Sequence, residues 1–165
     1  MLMSSGNQRQ AGFTFLGLLF FISLLGIGMA VTGIVWQQDA QRDKEHELLF
    51  IGDQFRQAIG NYYERTPGAV KAYPKNLEDL LQDKRYVTTQ RYLRQIYTDP
   101  MTGKPEWGLV RRPDGALIGV YSLSQSTPIK TAGFNSKESQ FQQAKQYVDW
   151  KFVYVPRQTA TTSNK

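Results

Sequence analysis

Between Arg9 and Asp39 the chain carries no charged residue, and from Phe13 to Trp36 it is apolar almost throughout. This constrains the fold more than any other feature, because a soluble domain has no use for so long an uncharged run. Its 24 residues would make about 36 Å of helix, slightly more than the roughly 30 Å hydrocarbon core and easily accommodated by tilt. Lipid offers a polar backbone no partners, so only a helix satisfies it there. The polar exceptions Thr14, Ser23 and Thr32 carry hydroxyls that can bond back to the preceding turn. A cleaved secretory signal would use Gly28-Met29-Ala30 as its small-x-small site, but the apolar run continues past it to Trp36 and exceeds the usual h-region of about 7–15 residues. A plain signal anchor is the other simple reading. Arg9 favours a cytoplasmic N-terminus, whereas Arg42 and Lys44 are interleaved with Asp39, Asp43 and Glu45.

The helix is expected to continue beyond Trp36. Residues 37–47 are polar and charged with neither Pro nor Gly, and then Leu48, Ile51, Phe55, Ile59 and Tyr62 recur at spacings of three and four. That is the apolar stripe of an amphipathic helix. Thr66-Pro67-Gly68 ends it. The reading is one helix from Phe13 to about Arg65: oily all round at first, bare and polar in the middle, and greasy on one face at the end. The greasy face calls for a domain folded against it, and the oily half calls for lipid or like helices.

The remainder reads as a small α+β domain with a three-stranded antiparallel sheet. Asn76 is expected to cap a short helix over 77–81, with Glu78 and Asp79 in its first turn. A second short helix is expected to carry Tyr92, Leu93 and Ile96. Asp99-Pro100-Met101-Thr102-Gly103 is a turn signal, and Arg112-Pro113-Asp114-Gly115 joins strands over 107–111 and 116–122 as a hairpin. Residues 148–155 read as the third strand. The connection 123–147 is long enough to suggest a function, with its second half helical through Phe141 and Ala144. The expected organisation is a leader 1–12, a membrane half 13–36, an amphipathic half 37–65, a globular domain 66–157 and a disordered tail 158–165.

Several chemistries are disfavoured. The chain has no cysteine, hence no disulfide, thiol nucleophile or cysteine-ligated metal. Its lone histidine, His46, lies between Glu45 and Glu47 and reads as a solvated stalk residue. Asp99 and Asp114 read as turn formers, and Trp107 and Trp150 as core. No phosphate loop, metal spacing or nucleophile motif occurs. An enzyme, a cofactor and a metal site are therefore not expected. The net charge of +6 is spread among acids, with Lys84-Arg85 and Arg111-Arg112 the only adjacent basic pairs, so a solvated surface is expected rather than a nucleic-acid stripe.

Gly12-Phe13-Thr14-Phe15-Leu16, the apolar helix and its amphipathic extension resemble the processing signal of the type IV pilin superfamily. Downstream, Tyr73-Pro74, Leu77, Leu80-Leu81, Arg91-Tyr92-Leu93, Thr98-Asp99-Pro100, Gly103, Trp107, Tyr121-Ser122-Leu123 and Asp149-Trp150-Lys151-Phe152 resemble the pseudopilins of type II secretion systems, in their major-pseudopilin-like branch. The resemblance covers about residues 6–155. It implies cleavage between Gly12 and Phe13 by a prepilin peptidase and methylation of the new Phe13 amine. It further implies a homo- or hetero-oligomeric filament with other pseudopilins on a secretion-system inner-membrane platform, the C-terminal domain being periplasmic. Gly26 and Ala30, four apart, would let helices approach closely, or they are simply ordinary membrane-helix composition. Two departures follow. The glutamate usual at the fifth mature position is Gly17, which removes a carboxylate thought to pair with a neighbour's terminal amine and points to an atypical, minor subunit. Relatives of this branch hold calcium between their last two strands, but Ser124–Tyr147 contains only one acid, Glu138, too few for a hard cation. The proline of many relatives aligns with Ile34, so a less kinked helix is expected. A minor type IV pilin for adhesion, motility or DNA uptake, or a signal-anchored periplasmic binding module, are the alternative functions.

Overall fold

The structure, a computed structural model, describes residues 11–156, with side chains described outside 11–14 and 24–36. The expected tail 158–165 and most of the leader lie outside these residues. In chain order the elements are α1 (Ala11–Glu64), α2 (Glu78–Leu81), β1 (Gly108–Arg111), β2 (Leu117–Tyr121), 3-10 segments at Ser136–Gln143 and Tyr147–Asp149, and β3 (Phe152–Val153). Two compact units are distinguished, one ending at Gln41 and the other beginning at Arg42.

The second unit is α+β. Its sheet is antiparallel in the order β1-β2-β3, with Leu109 opposite Val120, and Val120 opposite Phe152. The stripe Leu48, Ile51, Phe55, Ile59 and Tyr62 is buried, joined by Ala58, and packs with Leu117, Val120, Trp107, Trp150 and Phe152 in one core. Packing of that stripe, more than intrinsic propensity, holds such a helix in place. Two glycines bring β3 close to α1. A Cβ at Gly52 would stand 2.4 Å from the Phe152 ring, and one at Gly60 2.6 Å from the Tyr154 ring. Glycine in a helix interior costs about 1 kcal/mol relative to alanine, so these two positions are explained by the rings that fill them.

Both turns fold as their chemistry demands. The Gly115 amide donates to the Arg112 carbonyl at 2.9 Å, with Gly115 at φ +81°, a conformation that favours glycine. Asp99 is fully buried and accepts from the Met101 amide and from the hydroxyls of Thr102 and Ser122. It therefore ties its turn to the end of β2.

Other expectations are corrected. Asn76 does not cap α2; the Asp79 carboxylate instead accepts from the amides of Lys75 and Asn76, and the helix is only four residues long. No helix carries Tyr92, Leu93 and Ile96. There the amides of Tyr92 and Leu93 both donate to the Leu80 carbonyl, and the Tyr92 hydroxyl donates to Asp83, so tertiary bonds take the place of helical ones. The third strand shrinks to Phe152–Val153 because Asp149 accepts from the amides of Lys145 and Gln146 and winds Tyr147–Asp149 into a 3-10 turn. The helical part of the long connection is also 3-10, and its three-residue repeat places Glu138 and Phe141 together on the buried side. Finally, the polar middle of α1 is not wholly bare: Glu45 is buried.

Candidate functional site

The uncharged N-terminal run presents its candidate surface in the first unit. Phe15, Leu16, Leu18, Leu19, Phe20, Phe21 and Ile22 are all between 48% and 70% exposed. Monomeric soluble proteins rarely expose contiguous apolar surface of this kind, and where it occurs it marks contact with membrane or protein. The Ser23 hydroxyl donates to the Leu19 carbonyl at 2.9 Å, so this polar group is satisfied within the helix. Gly17 lies in the middle of the exposed residues, and a Cβ there would meet no atom within 4 Å. Position 17 is thus open within its own chain. Gly12, Phe13, Gly26 and Ala30 fall within α1, but their side chains lie outside the described residues. Among the described residues, no helix is long and apolar enough to cross a membrane.

In the second unit the polar interior serves to anchor segments. Glu45 accepts from the Ile129 amide at 2.6 Å, the Lys130 amide at 3.2 Å and the Tyr147 hydroxyl at 2.8 Å. Arg56 donates to Asp53 at 3.0 Å and reaches Glu138 at 3.5 Å, both Arg56 and Glu138 being buried. Both contacts fix the 123–147 connection to α1. Sequence reading missed them, although an acid three residues before an apolar stripe and an arginine within it were the available signals. His46 is exposed and borders a shallow depression with Phe50, Lys130 and Glu138. Among the described residues, no three histidine, aspartate or glutamate side chains gather as a metal site.

A second buried cluster lies at the C-terminal end of α1. The Arg85 guanidinium donates to both carboxylate oxygens of Asp83, to the Thr66 hydroxyl and to the Tyr62 carbonyl, and its centre stands 3.5 Å from the Tyr62 ring centroid. The carbonyl is one of those that a helix end leaves without an internal partner. Burial works to raise the Asp83 carboxyl, yet hydrogen bonds from the Arg85 side chain and amide and from the Tyr92 hydroxyl hold it below its ordinary value. Burial and the bond to Asp83 push the Tyr92 hydroxyl up to about 12.

This geometry sets the sign of a pH effect. A carboxyl depressed in the folded state stabilises fully above its unfolded value and loses that contribution as pH falls through the folded value. Asp83→Asn should therefore cost about 3 kcal/mol near pH 7, where it leaves Arg85 without its ion partner. The difference from wild type should shrink once the pH is below the ordinary carboxyl value of 3.8. Urea denaturation of both proteins at about pH 7 and about pH 3 checks this; a constant difference would show that the ion pair does not carry the effect.

No protein-family model, no curated protein and no solved structure matches this chain.

Proposed function

We propose that this chain is an atypical, minor pseudopilin-like subunit of a type II secretion filament, assisting export of folded proteins across the outer membrane. The observation carrying the reading is the exposed, uncharged apolar face over Phe15–Ile22 immediately behind Gly12-Phe13. In this reading residues 13–36 are the membrane half of one long N-terminal helix and residues 37–65 its amphipathic half. The N-terminus is cytoplasmic and the folded domain periplasmic. A prepilin peptidase cuts between Gly12 and Phe13, and the released helix packs against those of other pseudopilins on the inner-membrane platform. Gly26 and Ala30 are the proposed close-approach positions. Gly17 lacks the carboxylate that would align a subunit on its neighbour, which suits a subunit at or near a filament end.

The subunit is proposed to do this without catalysis and without calcium. Glu138, the single acid of the segment in which relatives hold that ion, is engaged by Arg56. That segment is anchored by protein groups, which supports a calcium-independent subunit.

The test is expression of the full chain with and without a prepilin peptidase, followed by mass spectrometry of the N-terminus. A product beginning at Phe13, formed only with the peptidase, is expected. An intact chain under both conditions, or one cut after Ala30, would refute the reading and favour a signal-anchored or secreted binding module.

A further inference from the structure

We propose that the groove between the end of α1, the 71–76 segment and the β1–β2 hairpin binds single-stranded nucleic acid. It encloses about 600 Å³ and is lined by Tyr63, Lys71, Tyr73, Lys75, Arg111 and Arg112. The sequence spreads these residues over 63–112 among acids, so no basic stripe is visible before folding; the fold gathers four cations along one groove. The single carboxylate among the lining residues, Asp114, lies 3.7 Å from Arg112 Nε, with both side chains more than half exposed. Such a pair is loosely held and leaves Arg112 available to a stronger anion. Of the acids nearby, Glu64 accepts from the Tyr154 hydroxyl and Asp79 from two backbone amides.

Two features favour a nucleic-acid strand over other polyanions. Arg111 Nη1 donates to the carbonyls of Lys75 at 2.7 Å and Gly115 at 2.8 Å. The backbone thus fixes the guanidinium, and its Nε and Nη2 hydrogens remain for a phosphate, the planar fork matching two oxygens at once. Beside it the Tyr63 and Tyr73 rings pair with centroids 4.4 Å apart, and the Arg112 guanidinium stands 5.7 Å from the Tyr73 ring. A cationic groove with aromatic and guanidinium planes binds a single strand through its phosphates and unstacked bases. An acidic peptide would use the cations alone, whereas a strand also presents base planes to the half-buried Tyr63 and Tyr73 rings. The proposal uses only residues of the second unit and stands apart from the filament reading.

The experiment is fluorescence anisotropy of labelled oligothymidylate with the full chain in detergent, across a potassium chloride series. Saturable binding is expected, with log K falling against log salt at a slope of about −2 to −3, as three or four phosphate contacts to a single strand require. The exposed pair Lys71→Gln/Lys75→Gln should weaken binding about tenfold and flatten the slope by about one. Lys84→Gln/Arg94→Gln removes the same charge elsewhere and should leave affinity unchanged. Absence of saturable binding at low salt would overturn the proposal. So would equal weakening by both double variants, or displacement of the oligonucleotide by poly-glutamate at matched charge, which would mark a site for acidic protein.

Discussion

Gly119→Ala is expected to destabilise the folded domain by about 3 kcal/mol, at the upper end of what overpacking usually costs. Gly119 lies in the middle strand, opposite Val110 on one side and Val153 on the other. A Cβ there would stand 2.5 Å from the Phe152 carbonyl oxygen and 2.8 Å from the Val153 Cα. Both are backbone atoms of β3, which has only two residues and two register pairs with which to hold its place. They cannot swing aside as a side chain can, so the methyl must separate β2 from β3. Gly108 supplies the comparison. Its Cβ would come still closer, 2.2 Å, to an atom of the Tyr121 ring, but that ring is half-buried and can rotate. Gly108→Ala should therefore cost less than half as much, about 1 kcal/mol. Urea denaturation of the two variants orders them. If Gly108→Ala proves the more damaging, the closeness of the contact matters more than the stiffness of what is struck.

What could be read before folding was whatever a local rule decides. The stripe from Leu48 to Tyr62 is periodic, and every residue of it is buried. The Pro-Asp-Gly and Asp-Pro turns follow from the conformations their residues adopt, and the β1–β2 hairpin that the Pro-Asp-Gly turn closes came out in place. What could not be read was decided by partners distant in sequence. Leu93 sits in the core on a bond to Leu80 rather than in a helix, and Asp149 turns its own neighbours into a 3-10 segment where β-branched and aromatic residues suggested strand. Gly52 and Gly60 interrupt an otherwise well-patterned helix, and in hindsight mark where β3 and its flanking tyrosine lie closest. In the candidate site the uncharged apolar run was legible because it depends on composition alone, whereas the open space at Gly17 appears only in the structure. The basic groove was invisible, since Tyr63, Lys75 and Arg111 meet only in three dimensions.

Glu45 shows most clearly what a rule of solvated charges overlooks, and it sets the second large effect. Its neighbours Lys44, His46 and Glu47 are exposed, as that rule expects, while Glu45 itself is 3% exposed. A buried carboxylate is costly unless donors surround it, and here three converge from the far end of the chain: two successive backbone amides at Ile129 and Lys130, and the Tyr147 hydroxyl. Glu45→Ala removes the acceptor and leaves those donors facing a cavity. Charged hydrogen bonds contribute about 1.5–3 kcal/mol each, and orphaned donors add their own desolvation, so a loss of about 3 kcal/mol is expected. Much of it should be local. Arg56–Glu138 ties the later part of the 123–147 connection to α1, so the part around Ile129 and Lys130 should open while the sheet and the Leu48–Tyr62 stripe stay folded. Amide exchange at Ile129 and Lys130 should then accelerate by about two orders of magnitude, the equivalent of about 3 kcal/mol. Amides in β2 should change far less. Glu45→Gln retains one acceptor oxygen and should lose only about 1 kcal/mol. Uniform acceleration across the domain would mean that Glu45 supports the whole core; no acceleration at 129 and 130 would mean that the connection is held without it.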